Sequence, residues 1–241
     1  MGCRLRLSVS NPIPTGCHSI DSLLGGGFHR ETVSQIYGPP AAGKTNVALS
    51  TAITLAQTGG KTLYIDTEGV SIDRFEQLVQ GIADQEHSDS VTDQIILQDA
   101  YTFEEQESAV RDAADIAPEL ELIVVDSATG FYRLVRTAED EGETLRRVGR
   151  QITHLLSLAR KFELAILITN QVFADPESED SRPRPLGGHT LNHWSGIVLR
   201  LDRFRGGQRR VTLEKHQSEP AGNSARFRIT ATGIEGIEDE F

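Results

Sequence analysis

Short apolar runs alternate with amphipathic stretches along most of this 241-residue chain. Runs typical of buried β-strands occupy residues 32–37, 62–66, 94–98, 120–126 and 164–169. Between them, apolar side chains recur at helical spacing, which predicts helices over residues 46–57, 73–82, 103–117 and 143–161. Repeated strand–helix units with continuous apolar strands predict an α/β fold, in which helices flank a mostly parallel twisted sheet.

The pattern changes after residue 190, where short turns separate predicted strands at residues 197–202, 209–216 and 225–229. We expect these strands to form an antiparallel C-terminal extension of the same sheet. Because the extension continues the sheet, it does not require a second domain.

The N-terminal stretch is predicted to cap the core, with a short strand at residues 5–9 and a short helix at residues 19–24. Neither an internal repeat nor a linker divides the chain. The sequence therefore predicts a single domain made of an N-terminal cap, a βα core and a C-terminal β extension, at residues 1–30, 31–190 and 191–241.

The charge balance is acidic, since 35 Asp and Glu residues against 24 Lys and Arg residues give a formal net charge of −11. Lysine occurs only at positions 44, 61, 161 and 215, which leaves 20 arginines among the basic residues. An acidic, lysine-poor surface is typical of salt-loving cytoplasm, although GC-rich codon bias also favours arginine. The overall charge argues against generic nucleic-acid affinity, so any DNA contact must come from local patches.

Features of membrane and secreted proteins are missing from the sequence. The chain has no run of eighteen apolar residues, and its first six residues fit neither a secretory signal nor a myristoylation site. Cys3 and Cys17 are the two cysteines, and their spacing suits neither a CxxC pair nor a zinc site. We therefore expect a reduced, cytoplasmic protein.

Residues 38–45, Gly-Pro-Pro-Ala-Ala-Gly-Lys-Thr, fit the phosphate-binding pattern G-x-x-x-x-G-K-[ST] between a predicted strand and a predicted helix. Gly38 and Gly43 would let the backbone curl so that its N–H groups point at a phosphate, beside the positive helix N-terminus. Lys44 would reach the β- and γ-phosphates, and the Thr45 hydroxyl would hold Mg²⁺. The predicted nucleoside triphosphate site contains Gly38, Ala41, Ala42, Gly43, Lys44, Thr45 and Asn46.

Two prolines modify this loop. Pro39 and Pro40 remove two N–H donors and stiffen its first half. We therefore expect the phosphate to be held mainly by residues 42–45, which suits a protein that uses the nucleotide as a state marker more than as a fast fuel.

Polar residues follow three further strands at the same edge of the predicted sheet. Asp126 closes its strand like a Walker B carboxylate and would hold Mg²⁺ through water. Glu68 is the candidate general base for an attacking water, the alternative being a turn acid that caps the next helix. Gln171 can hydrogen-bond a γ-phosphate oxygen, although it also suits an ordinary polar strand end.

Taken in order, the four strand ends carry Gly-x4-Gly-Lys-Thr, Asp-Thr-Glu-Gly, Val-Val-Asp-Ser and Thr-Asn-Gln-Val. This set resembles the RecA/RadA recombinase family. Residues 15–27, 185–188 and 225–230 also match the pattern of archaeal RadA and its paralogues, so the similarity covers about residues 14–235. The resemblance implies a RecA-like P-loop ATPase core with ATP and Mg²⁺ as cofactors.

The chain begins just before this core, without the helix-hairpin-helix domain or the Phe-x-x-Ala segment of RadA-type recombinases. It is most similar to a bare-core archaeal paralogue of RadA. That resemblance implies a protein that binds ATP and DNA, hydrolyses ATP weakly and assists DNA recombination and repair. The implied partners are DNA, weakly bound and preferably single-stranded, a RadA-type recombinase and a Holliday-junction resolvase, with self-association as a further option.

The resemblance also implies roles for individual residues. Lys44, Glu68 and Gln171 are the implied catalytic residues, with Glu68 activating water and Gln171 sensing the γ-phosphate. Arg74 falls near the arginine that stacks on adenine. Lys215 lies where relatives cap a neighbouring subunit's nucleotide, the alternative being an exposed strand end.

Two implied DNA loops span residues 131–142 and 172–188. Their candidate phosphate contacts, which would otherwise be solvated loop residues, are Arg133, Arg136, Arg182 and Arg184. The second loop also carries carboxylates that repel phosphate, at Asp175, Glu177, Glu179 and Asp180. We therefore expect weak DNA binding, and we expect protein partners to matter more.

Two other functions remain open from the sequence. In the first, ATP occupancy reshapes loop 172–188 of a nucleotide-gated protein-binding switch, and turnover is incidental. In the second, the chain is a KaiC-like ATPase that is not dedicated to recombination. The sequence argues against a nicotinamide dehydrogenase, because no G-x-G-x-x-G follows a predicted strand.

Overall fold

A computed structural model describes residues 11–83, 88–131, 141–173 and 184–237 of the chain. The strands through the core are β1 (Val33–Tyr37), β2 (Thr62–Asp66), β3 (Ile95–Asp99), β4 (Leu122–Asp126) and β5 (Ala165–Asn170). The later strands are β6 (Val172–Phe173), β7 (Arg184–Pro185), β8 (Ile197–Arg203), β9 (Gln208–Lys215), β10 (Ser224–Ile229) and β11 (Ile234–Ile237). The α-helices are α1 (His18–Leu23), α2 (Lys44–Ala56), α3 (Ile72–Ile82), α4 (Ser88–Thr92), α5 (Phe103–Ile116), α6 (Glu141–Phe162) and α7 (Gly188–Trp194).

Within the described ranges, nine strands form one sheet in the order β11-β10-β9-β8-β1-β5-β4-β2-β3. The five core strands pair in parallel, with β1 beside β5 and β4 between β5 and β2. Because all five run the same way, the polar residues that follow β1, β2, β4 and β5 reach one edge of the sheet. The predicted α/β fold with a mostly parallel sheet is confirmed.

The antiparallel C-terminal extension is confirmed, and it joins the core through one parallel pair. The strand β8 lies parallel to β1, with Ser34 opposite Ile197 and Tyr37 opposite Arg200. The antiparallel part begins only at β9 and continues through β10 and β11. A short turn predicts the antiparallel β8–β9 pair correctly. The parallel pairing of β8 with β1 depends instead on the position of α7, which precedes β8 in the chain.

Apolar side chains cover both faces of the sheet, as the continuous apolar strands predict. On β4, Leu122 and Val124 join the cluster under α1, α2 and α3, whereas Ile123 and Val125 join the cluster under α5 and α6. This alternation fixes the register of β4, because a shift by one residue would turn Asp126 to the opposite face of the sheet.

The C-terminal strands β10 and β11, with the turn between them, pack beside the start of α2 and the end of α3. The side chains of Phe227 and Ile229 approach Gly43, and the turn at Thr232 approaches Gly81 in α3. The C-terminal extension therefore forms part of the wall beside the 38–45 loop.

Several elements differ from the sequence predictions. The helices α4 and α7 and the strand β11 were not predicted, and the described part of α6 already includes Glu141, before the predicted start at residue 143. The predicted strand at residues 5–9 lies outside the described residues. Among the described helices, none combines the length and the apolar character that crossing a membrane requires.

Candidate nucleotide site

The 38–45 loop ends in a helix whose first turn is open. Gly43 is the N-cap of α2, with φ 103° and ψ 14°, and no side chain caps its N–H groups. Ala41 also adopts a left-handed backbone, with φ 58°. This curl leaves the first N–H groups of α2 free to face an anion, together with the positive end of the helix dipole.

Gly38 serves the loop for a different reason from the predicted one. Its φ lies outside the left-handed region, but a β-carbon at this position would lie 2.4 Å from the carbonyl oxygen of Leu201 in β8. Gly38 is therefore required for close approach to β8, whereas the left-handed turns fall at Ala41 and Gly43.

Lys44 is buried at the start of α2, and among the described residues its ammonium group donates only to neutral carbonyl groups. The Nζ atom donates to the carbonyl oxygens of Gly38 and Pro39, at 3.0 and 3.2 Å. Burial lowers the pKa of Lys44, and the charges of Glu68 and Asp126 oppose that shift. A buried cation without a contacting carboxylate favours an incoming anion.

Asp126 lies at the end of β4 with its carboxylate held by hydroxyl groups. Thr169 in β5 donates a short hydrogen bond to Oδ1, and the Tyr64 hydroxyl donates to Oδ2 at 2.7 Å. The Thr45 side chain also lies near enough to this carboxylate to favour its ionised form. Burial raises the pKa of Asp126, while these three hydroxyl groups favour its ionised form and so limit the rise.

A second carboxylate, Asp66 at the end of β2, shapes the loop that carries Glu68. Oδ1 of Asp66 accepts the N–H groups of Glu68 and Gly69, both at 3.0 Å, and Oδ2 accepts that of Val70. The loop is further attached to β4, because Thr67 Oγ1 exchanges hydrogen bonds with the backbone of Ser127. Glu68 itself is exposed, so its side chain faces the cleft on a rigid loop.

The structure brings Glu68 and Gln171 into direct contact. Nε2 of Gln171 donates to Oε1 of Glu68 at 2.8 Å, which joins the end of β5 to the loop after β2. The Gln171 carbonyl oxygen also accepts the N–H of Leu186 at 2.9 Å. Gln171 therefore connects the candidate base with the chain that returns through β7.

A cleft of about 200 Å³ separates the loop from this pair. Its lining residues are Pro40, Ala41, Gly43, Lys44, Thr45, Asn46, Glu68 and Gln171. Seven of these eight residues were predicted as site residues, whereas the predicted residues Gly38, Ala42 and Asp126 are not among the lining residues. The cleft thus combines a cation, a helix N-terminus, a hydroxyl group and a carboxylate within one concave surface.

Arg74 does not line the cleft. It is anchored beside it, where its guanidinium donates to Asn46 Oδ1 at 2.9 Å and to the carbonyl oxygens of Thr230 and Ala231 at 2.9 and 3.0 Å. These bonds tie α3 to the start of α2 and to the turn after β10. The implied stacking of Arg74 on adenine stays a prediction.

Lys215 lies at the far edge of the sheet from the cleft. It pairs with Val198 near the start of β8, and its Nζ donates to the carbonyl oxygen of Asn192 at 2.8 Å, near the end of α7. It therefore cannot reach the nucleotide site of its own chain. The proposed role across a subunit interface stays a prediction.

The candidate DNA contacts fall mainly outside the described residues. Arg133, Arg136 and Arg182 lie in undescribed segments, and only the backbone of Arg184 is described, in β7. The short pair of β6 with β7 places Phe173 opposite Arg184. The two ends of the second loop thus meet beside Gln171.

Sequence reasoning missed the supporting residues of the site. Tyr64, Asp66 and Thr169 looked like ordinary strand residues, although each lies on a strand that ends at the site. Asn170 was also missed: its side chain accepts from Thr129 at 2.7 Å and donates to the Leu186 carbonyl at 2.8 Å. The available signal was a polar residue inside a continuous apolar run, since a buried polar group needs a partner.

The residues present fit a magnesium nucleotide. The uncapped start of α2 and the neutral environment of the Lys44 ammonium suit a phosphate, and Thr45 with Asp126 supplies the oxygen ligands that Mg²⁺ prefers. No cluster of three or more His, Cys, Asp or Glu side chains suited to a metal ion occurs in the ranges that the structure covers. A magnesium ion held by Thr45 and Asp126 would take its other ligands from phosphate oxygens and water.

The fold and this cleft define a P-loop nucleotide-binding core of the RecA type. The model of the Rad51 family matches residues 6–237. The chain belongs to the Rad51 family, and within that family it groups with the RadB proteins.

Three comparisons support this grouping. The chain is 59% identical to the DNA repair and recombination protein RadB of Halobacterium salinarum, over 92% of this chain and 94% of the relative. It is 40% identical to the protein of the same description from Methanococcoides burtonii, over 94% and 99%. A crystal structure described as the RadB recombinase superposes with a TM-score of 0.80 and 35% identity, covering 94% of this chain and all of that one.

Proposed function

We propose that the chain binds ATP with Mg²⁺, hydrolyses it slowly, and serves as a DNA-binding accessory protein in recombination and DNA repair. The contact between Glu68 and Gln171 carries this proposal, because it places a candidate base and a polar sensor side by side in the cleft that Lys44 also lines. The recombination role is supported by relatives that are described as DNA repair and recombination proteins.

Each residue has a defined task in this proposal. The first N–H groups of α2 and the Lys44 ammonium bind the phosphates, while Thr45 and Asp126 hold Mg²⁺, which would neutralise phosphate charge. Glu68 accepts a proton from the attacking water. Gln171 must exchange its bond to Glu68 for one to a phosphate oxygen, so the two interactions compete.

Substitution of the base tests the enzymatic part. In Glu68→Gln, we expect nucleotide affinity to stay within about twofold and the hydrolysis rate to fall by roughly 100-fold or more, because a general base contributes about that factor. Fluorescence titration measures the affinity, and phosphate release measures the rate. Glu76→Gln, an exposed glutamate on α3, is the matched control. Hydrolysis at the wild-type rate in Glu68→Gln would contradict the assignment.

DNA binding is proposed to be weak and to prefer single strands, with Arg133, Arg136, Arg182 and Arg184 as contacts. The acidic residues of the second loop and the net charge of −11 oppose phosphate. Filter binding over a salt series measures the affinity. Tight binding above molar salt would refute the proposal.

A RadA-type recombinase and a Holliday-junction resolvase are the proposed protein partners. Sedimentation of the chain with and without ATP, in the presence of the recombinase and single-stranded DNA, tests the first of them. ATP-dependent co-sedimentation is expected, and separate sedimentation under every condition would contradict it.

A nucleotide-gated switch is a second candidate function. It is favoured by the bonds of Gln171, which connect the cleft with Leu186 at the end of the second loop. If cells carrying Glu68→Gln survive DNA damage as wild type while Lys44→Ala cells do not, occupancy rather than turnover is the required step.

A further inference from the structure

Asp126 is fixed by two side chains that do not reach the cleft. Tyr64 and Thr169 are both fully buried, and each donates its hydroxyl hydrogen to a different oxygen of the same carboxylate. Asp126 is also buried, with 1% of its surface exposed. The orientation of this carboxylate is therefore decided beneath the cleft, by strands on both sides of β4.

Strand register explains why the phenol reaches this oxygen. Tyr64 lies opposite Val124 in the parallel pair of β2 with β4, and Asp126 is two residues further on. Residues two apart on a strand share a face, so the ring of Tyr64 and the carboxylate of Asp126 lie on the α2 side of the sheet. Asp66 shares that face, but its oxygens accept the N–H groups of the Glu68 loop.

We propose that Tyr64 is a positioning residue for the magnesium site, which fixes Oδ2 of Asp126 while Thr169 fixes Oδ1. The carboxylate then presents one orientation toward Thr45, whose hydroxyl would hold the metal from the start of α2. This inference rests on the proposed nucleotide function. A partner that orients a metal-bound group typically changes metal affinity by roughly tenfold or more when it is removed.

Another buried tyrosine in the same sheet provides a matched control. Tyr37 ends β1, is 4% exposed, and donates its hydroxyl to Glu214 Oε2 at 2.6 Å. Removing its hydroxyl also breaks a hydrogen bond to a carboxylate, in this case a partly buried one, but that carboxylate belongs to β9. Both substitutions should therefore lower stability, whereas only the substitution of Tyr64 should lower the affinity for Mg²⁺.

The experiment compares Tyr64→Phe, Tyr37→Phe and wild type by fluorescence titration with N-methylanthraniloyl-ATP, first in EDTA and then over a Mg²⁺ series. We expect all three to bind the probe equally in EDTA. With Mg²⁺, the midpoint concentration should rise by roughly tenfold in Tyr64→Phe and stay unchanged in Tyr37→Phe. In an Asp126→Asn background, Tyr64→Phe should produce no further shift.

Two further variants keep the test decisive if Tyr64→Phe does not fold. Thr169→Val removes the other hydroxyl and should raise the Mg²⁺ midpoint, whereas Thr169→Ser should restore it. An unchanged midpoint in Tyr64→Phe, or in Thr169→Val where the former does not fold, overturns the inference. An equal loss of probe affinity in EDTA and in Mg²⁺ also overturns it. If wild type itself shows no magnesium-dependent binding, it is the proposed function that fails.

Discussion

At the scale of single residues, the 38–45 loop shows that two glycines in one motif can be required for different structural reasons. Gly43 adopts a φ of 103°, which side chains rarely tolerate. Gly38 has no such requirement and instead lies against the backbone of Leu201. The motif predicts that both are glycine, but only the tertiary position of β8 explains the first.

Gly38→Ala should therefore lower the free energy of unfolding by about 1–3 kcal/mol, because the obstructing atom is a backbone oxygen that cannot rotate away. Urea denaturation measures this change. Gly149→Ala in α6 is the contrasting control, since its β-carbon would make one contact of 3.4 Å with Thr190 Cγ2. Alanine there should raise stability by up to about 1 kcal/mol. Equal effects of the two substitutions would contradict the steric explanation.

At the scale of elements, the turn after β9 depends on one neutral imidazole. Nδ1 of His216 accepts the N–H groups of Ser218 at 3.1 Å and Glu219 at 2.9 Å. Burial lowers the pKa of His216, and the neighbouring His29 lowers it further, while Glu219 opposes the shift. The turn is therefore stable only while Nδ1 lacks a proton.

We expect the stability of this turn to fall as the pH is lowered from 7.5 to 5.5. Below a pH of about 6.5, His216 takes up a proton in the unfolded chain more readily than in the folded chain, where its pKa is lower. The free energy of unfolding therefore decreases as the pH falls, until the pH drops below the folded pKa. Thermal unfolding at several pH values measures the effect. His216→Asn keeps an acceptor that does not titrate and should flatten the dependence between those two values. An unchanged pH profile in that variant would exclude His216 as its source.

The sequence predicted the elements whose periodicity is strong and missed those set by distant contacts. The strands β1, β2, β4 and β5 and the helices α2, α3, α5 and α6 were correct because apolar spacing reports burial directly. The edge strand β3 was also predicted, although its residues are mostly exposed. The strand β11 contains Gly236 and forms only because β10 offers it an edge. The helix α7 has seven residues, too few for a periodic signal.

The same division holds at the site. The site residues that could be predicted lie at strand ends on one edge of the sheet: the loop residues, Glu68, Asp126 and Gln171. The structure brings Glu68 and Gln171 into contact. The buried supports were not predictable in this way. Tyr64 has one polar side-chain atom, and its hydrogen-bond partner Asp126 is on a different strand. The pairing of β2 with β4, which brings the two together, cannot be read from the sequence.

At the scale of the molecule, Lys215 and the cleft lie at opposite edges of one sheet. If Lys215 acts on a neighbouring chain, specific ATPase activity should rise with protein concentration in wild type and stay constant in Lys215→Ala. Lys61→Ala is the control, because Lys61 lies beside the start of β2 and bonds to Glu119. Activity that is independent of concentration in all three proteins would exclude an interface role.

The central place of β1 has a consequence for synthesis on the ribosome. Val33 pairs with Ile166, and Ser34 pairs with Ile197, so both neighbours of this strand are made more than 130 residues later. At translation rates of 5–20 residues per second, the apolar strand waits for on the order of ten seconds without either partner. The nascent chain thus exposes a fully buried strand throughout this time, and the wall that Phe227 and Ile229 form beside Gly43 is completed only when the last quarter of the chain has emerged.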